Sequence, residues 1–355
     1  MNILKEVTVS RDYFHRLHAE TPTRFWVNNP SGSDLEQAIA AGAINCTTNP
    51  AYCSKLLSSD KGYLHQVIDD VLMNVTLDIE QAAVLVYQRA AKRVMDAFLP
   101  LYEQSGGQCG FVTIQDDPRE DQDTEAIMRC VRNNRALGPN YMAKITVIKG
   151  GMEAIEACVA ENVAICATEV FGLAQARQVC ELYEAAVRHT GNRPPFYVTH
   201  ITGIFDEYVG KLARREGIDI APDILEQTGC AIARQEYKLL AGRGYQSTML
   251  GGGARSTQHF TEMVGGDVHV TINWSTAEEI QDDNPPLVSR LKVETPPQVV
   301  EELRRLPVFC QAYDDVLAPE EYAGFGPVQL FRNAFLQGWY TLLAEVAARR
   351  HYYAV

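Results

Sequence analysis

The segment "NYMAKITVIKGGMEAIEA" (residues 140–157) combines a strand pattern, a turn and a helical pattern. Its first half is rich in β-branched residues, which predicts a buried strand over residues 141–148. Lys144 stands in the middle of that strand. An ammonium group inside an apolar core is costly unless it is paired or its pKa falls. The position of Lys144 therefore needs a chemical reason.

The composition is that of a large folded protein. The 355 residues, 46% of them hydrophobic, are enough for two average domains or one large barrel. A net charge of -13 argues against nucleic acid or an anionic membrane surface as a partner. No apolar run is long enough to span a bilayer. The first 20 residues contain no apolar signal-peptide core, so no signal peptide is expected.

The cysteines and histidines predict neither a disulfide framework nor a metal site. Nine cysteines, an odd number, are scattered from Cys46 to Cys310 without a CxxC pair, which favours a reducing cytosol. The eight histidines form no HExxH motif, and the chain has no P-loop and no GxGxxG motif. We expect a cytoplasmic protein that uses no metal and no other cofactor.

Strand and helix patterns alternate along the chain. Eight runs are predicted as strands: RFWVN (24–28), NCTT (45–48), CGFVTIQ (109–115), MAKITV (142–147), AICATEV (164–170), PFYVTHI (195–201), STML (247–250) and HVTINW (269–274). A helical segment over residues 79–99 is predicted to stop at Pro100. Eight strands that each precede a helix are typical of a (β/α)8 TIM barrel. A doubly wound open sheet is the alternative, because periodicity alone does not close a barrel.

After Trp274 the pattern changes to proline-containing loops and a long helix. That helix is predicted over residues 327–350, with Phe331, Phe335, Trp339 and Leu343 along it. We predict a single barrel domain over residues 1–355, in which residues 275–355 are a C-terminal helical extension packed on the barrel.

In a barrel, Lys144 has two possible orientations, since strand side chains alternate between the interior and the helix layer. If it points outward, its amine extends to the rim and has no chemical role. If it points inward, it is a desolvated amine with a lowered pKa, which is a nucleophile for carbonyl groups.

Two polar segments follow predicted strands, where the chemistry of a barrel is concentrated. The second strand ends in "TTNP" (residues 47–50), which is either a strand-end turn with a helix N-cap or part of a site. The seventh strand leads into three glycines, residues 251–253, then Arg255 and a helix start at Ser256 or Thr257. Such a segment either binds an anion, most simply phosphate, or is a flexible turn with a solvated arginine.

The order of these motifs resembles the transaldolase family of class I aldolases, over roughly residues 25–280. The family's Schiff-base lysine lies on strand four in a Lys-Ile-Pro motif, followed by Gly-x-x-Ala. Lys144 and Ile145 match the start of that motif, and Gly-x-x-Ala begins seven positions after Lys144, at residue 151. The other matching segments are TTNP, DTEA (123–126), FGLAQA (171–176) and LGGGAR (250–255).

The resemblance implies a (β/α)8 enzyme of the pentose phosphate pathway type. Such an enzyme makes or breaks a C–C bond in sugar phosphates through a lysine imine with a dihydroxyacetone-type unit. It further implies that Lys144 forms the imine and that Thr168 holds a catalytic water. The substrate-binding residues that it implies are Thr48, Asn49, Cys166, Thr199, Phe171, Gly253 and Arg255.

The chain departs from the family at the acid–base positions. The strand-one aspartate corresponds to Asn28 and the strand-three glutamate to Gln115, and an amide accepts no proton at neutral pH. Asn28 and Gln115 are still the catalytic positions that the resemblance assigns. Candidate replacement bases lie at positions whose strand parity is wrong or uncertain: His200, Asp116, Asp117 and Glu169.

The chain also departs at the phosphate positions. The strand-six arginine of the family corresponds to Ile204, and the strand-seven serine corresponds to Gly253. A strand-three glutamine occurs in the fructose-6-phosphate aldolase branch of the family, but that branch pairs it with a strand-six tyrosine where this chain has Ile201.

Three functions remain open from the sequence. The first is a transaldolase-like enzyme with altered acid–base groups, which would be slow on the common pentose-phosphate substrates. The second is a fructose-6-phosphate-aldolase-like lyase for another keto substrate. The third is a non-catalytic sugar-phosphate-binding relative, in which Lys144 would be needless. We expect a small-molecule sugar phosphate as the partner, no nucleic acid and no membrane, and we leave a homodimer open.

Overall fold

The structure, a computed structural model, describes residues 13–74 and 76–353. The expectation about a signal peptide concerns a segment whose first 12 residues lie outside the described residues. The strands within the described ranges are β1 (Arg24–Asn28), β2 (Asn45–Thr47), β3 (Val112–Ile114), β4 (Tyr141–Thr146), β5 (Ile165–Val170), β6 (Phe196–Ile201), β7 (Thr248–Gly252) and β8 (Val268–Ile272).

Helices separate the strands and continue after the last one. Up to β6 they are α1 (Tyr13–Glu20), α2 (Gly32–Ala40), α3 (Tyr52–Ser59), α4 (Lys61–Asn74), α5 (Ile79–Gln104), α6 (Thr124–Arg135), α7 (Lys149–Ala160) and α8 (Leu173–Thr190). After β6 they are α9 (Gly203–Glu216), α10 (Pro222–Leu225), α11 (Thr228–Arg243), α12 (Gln258–Thr261), α13 (Trp274–Asp283), α14 (Pro297–Leu303), α15 (Pro307–Tyr313), α16 (Pro319–Tyr322) and α17 (Gly326–Tyr353).

The strands form a closed parallel barrel in chain order. Each strand pairs with the next, and β8 pairs with β1 through contacts such as Phe25 with Val270. All eight predicted strands are present, so the (β/α)8 barrel is confirmed and the open sheet is excluded. Closure places the carboxyl ends of all eight strands around one mouth, where barrel chemistry is found.

The interior of the barrel is filled below this mouth. The interior layer consists of Trp26, Phe111, Met142, Ala164, Cys166, Tyr197 and Leu250. Trp26 donates its indole N–H to His269 Nδ1 at 2.8 Å, and burial lowers the pKa of His269 to about 3. The imidazole is therefore neutral and can accept this bond.

The helix predicted to stop at Pro100 does not stop there. Helix α5 continues through Pro100 to Gln104. Proline removes one backbone hydrogen bond, but the helix buries a continuous face against the barrel, including Val94 and Phe98. Tertiary packing stabilises the helix beyond the proline, because most helical stability in proteins comes from a buried face.

Helix α17 lies across the mouth of the barrel. The Trp339 ring packs edge-on against Tyr87 of α5, with centroids 6.1 Å apart. Arg332 donates to Asp121 in the loop after β3, with Nε and Oδ2 2.6 Å apart. The predicted C-terminal helix is therefore present and packs on the barrel. Although α17 has 28 residues, no helix in the described part of the chain is long and apolar enough to cross a membrane.

Candidate active site

Lys144 points into the barrel. It lies opposite Cys166 in the β4–β5 register, and Cys166 belongs to the interior layer. The amine contacts the Thr48 carbonyl oxygen at 3.5 Å and lies 5.8 Å from the Phe335 ring centroid. Burial lowers the pKa of Lys144, and this effect is only partly opposed by Cys166, Glu169 and Cys46. Of the two orientations that the sequence left open for Lys144, the structure shows the inward one, which is the orientation that a nucleophilic amine needs.

Lys149, the second lysine of this segment, lies at the start of α7, outside the barrel interior. Lys149 is exposed and is the first residue of α7. Gly151, in the Gly-x-x-Ala segment, allows α7 to approach β4 closely, since a Cβ there would lie 1.9 Å from the Thr146 carbonyl oxygen. This glycine fixes how the helix begins directly above the strand that carries Lys144.

Lys144 opens onto a cavity of about 340 Å³ at the mouth of the barrel. Seven of the predicted site residues line it: Asn28, Asn49, Lys144, Thr168, Thr199, Gly253 and Arg255. Thr47 of the TTNP segment also lines it. Residues that were not predicted for the site complete the walls, among them Asn29, Ser54, Lys55, Ile201, Thr271, Asn273, Phe331, Ala334 and Phe335. Helix α17 supplies the last three, so the C-terminal helix covers the cavity.

Asn28 belongs to a network of neutral polar groups. Its Nδ2 donates to Asn273 Oδ1 at 3.0 Å, and its Oδ1 accepts from Thr47 Oγ1 at 2.9 Å. Thr47 in turn lies 2.7 Å from the Thr271 hydroxyl. This wall can bind hydroxyl groups of a substrate, but none of these four groups is a base.

The TTNP segment contributes less to the cavity than predicted. The Thr48 hydroxyl points away from the cavity and forms hydrogen bonds with Tyr87 of α5 at 2.9 Å and with the Thr113 carbonyl oxygen of β3 at 2.7 Å. Only the backbone of Thr48 therefore faces Lys144. Asn49 lines the cavity and accepts from the Ala51 N–H at 3.0 Å. The segment is therefore both a turn and a part of the site.

Helix α3, which follows this turn, adds a cation that the sequence analysis did not single out. Lys55 lines the cavity, donates to the Asn29 carbonyl oxygen at 2.8 Å, and has its pKa lowered by burial.

Two other predicted residues, Cys166 and Phe171, lie beneath or beside the cavity. Cys166 is fully buried, and its sulfur lies 3.2 Å from the Thr199 hydroxyl. Phe171 is fully buried between aromatic rings of α9 and α17, Phe205 and Phe331. These two side chains shape the site from outside the cavity wall.

The glycine-rich loop after β7 is partly as expected. Gly253 has φ +68°, and a Cβ there would lie 2.6 Å from Ile201 Cγ2. Arg255 stands at the rim, with its side chain half exposed and its Nε donating to Glu207 at 3.1 Å. The helix expected to start at Ser256 or Thr257 begins at Gln258 and has four residues. An anion here would rest on Arg255 and the loop backbone.

Two of the candidate replacement bases, His200 on β6 and Asp116 in the loop after β3, bond to the surrounding helices. His200 on β6 has an acceptor at each ring nitrogen, Glu236 Oε2 and the Gly229 carbonyl, both at 2.9 Å. Asp116 accepts from Asn134 of α6 at 2.7 Å. These groups stabilise the contact between the sheet and the helices.

The other two candidates differ from each other. Asp117 is bound by Arg119, whose Nε donates to it at 3.0 Å. Glu169 instead reaches the interior, where Gln115 Nε2 and Thr146 Oγ1 both donate to its Oε1 at 3.0 Å. Among the four candidates, whose strand parity the sequence left wrong or uncertain, Glu169 is therefore the one that lies beside the cavity. The one signal in the sequence was Thr146 at the position of the proline in Lys-Ile-Pro.

The described residues include no group of three or more His, Cys, Asp or Glu side chains arranged to hold a metal ion. The cavity presents the amines of Lys144 and Lys55, the Arg255 guanidinium, and hydroxyl and amide groups. The buried carboxyl group of Glu169 lies next to them.

Comparison with known proteins agrees with this geometry. Residues 25–326 match the Transaldolase/Fructose-6-phosphate aldolase family. The chain is 27% identical over 220 residues to "Transaldolase 1" of Streptomyces avermitilis, covering 59% of this chain and 57% of that protein. It is 28% identical over 222 residues to a transaldolase of Thermobifida fusca, covering 58% of each. For a transaldolase of Mycobacterium bovis the identity is 26% over 219 residues, covering 58% of this chain and 57% of that protein.

The matches thus span less than two thirds of the length of these relatives. The family match covers most of the chain, including every strand but the first residue of β1. Together with the barrel and its inward lysine, it shows that this chain belongs to the Transaldolase/Fructose-6-phosphate aldolase family.

Proposed function

We propose that this protein is a transaldolase-type enzyme that makes or breaks a C–C bond in a sugar phosphate through an imine on Lys144. The observation that carries the proposal is the state of the amine. Lys144 is 6% exposed, and its pKa is lowered by burial. A lowered pKa increases the fraction of neutral amine at pH 7, and only the neutral amine attacks a carbonyl carbon.

The reaction would proceed in steps that balance. The Lys144 nitrogen adds to the ketone carbon, the carbonyl oxygen leaves as water, and an iminium forms. A base takes the proton of the hydroxyl β to that carbon. The adjacent C–C bond breaks, an aldehyde leaves, and the electron pair is held as an enamine. The enamine then adds to a second aldehyde, and hydrolysis releases the amine.

The walls of the cavity fit a polyhydroxylated chain. Amide and hydroxyl groups of Asn28, Asn49 and Thr199 line it, and such groups bind the hydroxyls of a dihydroxyacetone unit. Phe335 of α17 closes the cavity over the amine. Exclusion of bulk water protects an iminium from premature hydrolysis and strengthens its electrostatic interactions.

Arg255 and the backbone of residues 251–253 are proposed to hold the phosphate. The guanidinium is at the cavity rim and half exposed. Its one carboxylate partner within the described residues is Glu207, which lies on the surface and can be displaced by a phosphate that accepts two hydrogen bonds. Ile204, at the family's second phosphate position, is buried and offers no such contact.

A lyase of the fructose-6-phosphate aldolase type is the second candidate. It differs only in the fate of the enamine, which is protonated and released instead of adding to an acceptor. Gln115 in place of a carboxylate is the observation that favours it. A non-catalytic sugar-phosphate binder is less consistent with the site, because such a protein would carry the cost of burying Lys144 for no purpose.

We also propose a place for the protein in the cytoplasm, in sugar-phosphate metabolism. All nine cysteines are free thiols, which suits a reducing compartment.

Reductive trapping tests the proposed function. The protein is incubated with dihydroxyacetone or fructose 6-phosphate and borohydride, and its peptides are analysed by mass spectrometry. The peptide that contains Lys144 should gain the mass of the reduced adduct. Lys144→Ala should abolish the label, whereas Lys149→Ala, which removes the exposed neighbour, should keep it. Labelling at Lys149, or no label at all, would refute the proposal.

A further inference from the structure

Glu169 has an unusual backbone conformation at the end of β5. Its φ is +60°, in the left-handed region that residues with a Cβ rarely adopt. The β5–β6 register shifts between Ala167 and Val170, which is the mark of a β-bulge. Thr168 already lines the cavity, so regular alternation would point Glu169 toward the helices. The bulge instead places two consecutive side chains on the interior side.

The surrounding residues hold this conformation in place. Gln175 of α8 donates to the backbone carbonyl of Glu169 at 3.0 Å and to that of Val147 at 2.9 Å. Its own side-chain oxygen accepts from the Phe171 N–H at 2.9 Å. A conformation that costs free energy and is fixed by a dedicated side chain is typical of functional positions.

Three buried polar atoms around Glu169 have no hydrogen-bond partner among the described residues. They are Glu169 Oε2, Gln115 Oε1 and Thr168 Oγ1. The side chains of Gln115 and Glu169 are hydrogen-bonded to each other. Thr168 is the β-ladder partner of Thr146, which is also hydrogen-bonded to Glu169. Buried polar atoms are normally satisfied. Three of them on one wall, next to the amine, indicate a place for a water molecule or a substrate hydroxyl.

The charged groups that face Glu169 come from three elements. They are Lys144 on β4, Asp121 in the loop after β3, and Arg332 on α17. Burial raises the pKa of Glu169 most, Asp121 raises it further, and the bonds from Thr146 and Gln115 and the charge of Lys144 lower it. The balance places the pKa of Glu169 at about 7, where a carboxyl group can both accept and donate a proton in neutral solution.

We infer that Glu169 is the acid–base group of the Lys144 reaction, acting on the substrate through a water held by Thr168 and Gln115. This inference rests on the proposed function. The carboxylate that is absent on β1 and β3 is supplied from β5. As a carboxylic acid, Glu169 gives its proton to the oxygen that leaves the carbinolamine as water. As a carboxylate, it takes the proton of the β-hydroxyl through the bound water while the C–C bond breaks.

Glu169→Gln tests the inference, because it keeps the size of the side chain and removes the proton transfer. The assay is exchange of the dihydroxyacetone C–H hydrogens with D2O, followed by NMR, together with borohydride trapping after long incubation. Glu169→Gln should still be trapped at Lys144, while its exchange rate should fall by about 10²–10⁴-fold. The rise of the parent rate near pH 7 should also be lost.

Asp116→Asn is the matched control. Burial also raises the pKa of Asp116 to about 7, but this side chain is only partly buried and accepts its hydrogen bond from Asn134 of α6. This variant should keep the exchange rate and the pH profile. Glu169→Gly gives a second, independent variant, since glycine adopts φ +60° without strain. It should lose exchange as well, and added formate, which can occupy the space of the carboxylate, should restore part of it.

The outcomes separate the two proposals. A parent that is trapped at Lys144, with a Glu169→Gln variant that keeps both the exchange rate and the pH profile, would overturn the role of Glu169 and leave the lysine intact. The same conclusion would follow if formate failed to restore a folded Glu169→Gly variant. A parent that is never trapped would refute the proposed function, and the role of Glu169 with it.

Discussion

Strands β4 and β5 are neighbours of equal length, six residues each, yet they present their functional groups in different ways. In β4 regular alternation carries Lys144 into the interior. In β5 a bulge and a left-handed residue bring Glu169 to the same side as Thr168. In a regular strand, alternation shows which side chains can face the interior. In an irregular strand, a bulge can bring a further side chain to the interior that alternation assigns to the helix layer.

The largest expected effect tests the regular strand. Lys144→Met should lose the whole enzymatic acceleration, at least about 10⁶-fold, because the imine can no longer form on β4 and Lys55, the other amine of the cavity, donates to the Asn29 carbonyl oxygen instead. Lys149→Met, at an exposed position only five residues away, should keep full activity. The measurement is cleavage of fructose 6-phosphate, or of whichever ketose phosphate the parent cleaves. Measurable turnover by Lys144→Met would show that β4 does not carry the nucleophile.

The second prediction tests the irregular strand through stability. A folded-state pKa raised from 4.5 to about 7 means that the folded protein holds the Glu169 proton more tightly than the unfolded chain. This contribution to stability is fully present below pH 4.5 and is lost as the pH rises through 7. Glu169→Gln does not titrate, so its free energy of unfolding relative to the parent should rise by about 3 kcal/mol between pH 4 and pH 8.

Urea unfolding of both proteins at several pH values provides this measurement. Asp116→Asn should behave similarly, because burial also raises the pKa of Asp116 to about 7. A pH-independent difference between Glu169→Gln and the parent would mean that the bulged carboxyl is not held in a desolvated place.

A smaller effect is expected beyond β7, at the rim. Arg255→Ala should weaken binding of phosphorylated ligands by about 1.5–3 kcal/mol, the range for hydrogen bonds to charged groups. Binding of unphosphorylated dihydroxyacetone serves as the control and should not change. Calorimetry with the two ligands distinguishes the cases. Equal binding of sugar phosphates by parent and variant would remove Arg255 from the phosphate site.

The smallest effect concerns the two amides. Asn28→Asp adds a carboxylate on β1 and should raise cleavage of sugar phosphates by about tenfold, less than the 10²–10⁴ of a base in a site that has none. Gln115→Glu should give no gain, because its carboxylate would lie about as close to Glu169 as the amide does, 3.0 Å, and two such groups do not both ionise. Steady-state rates of the two variants decide this. An equal gain from both would argue that Glu169 takes no part.

The sequence alone determined much of this molecule. The eight strands and the long C-terminal helix followed from local patterns, because burial and alternation leave a direct trace in the order of residues. Alternation left the orientation of Lys144 open, and the spacing of its motif, which resembles that of transaldolases, indicated that it points inward. Gly253 is another residue whose type reflects local structure, because its φ of +68° lies in the left-handed region that glycine adopts without strain.

The tertiary structure decided the rest, since it depends on groups distant in the chain. Helix α5 passes Pro100 because the barrel supports it, and the Thr48 hydroxyl turns away because Tyr87 and the Thr113 carbonyl receive it. The side chain that covers the Lys144 amine is Phe335 of α17, which lies far away in the sequence. Glu169 enters the interior only because a bulge held by Gln175 reverses its parity, and no periodic pattern encodes a single left-handed residue.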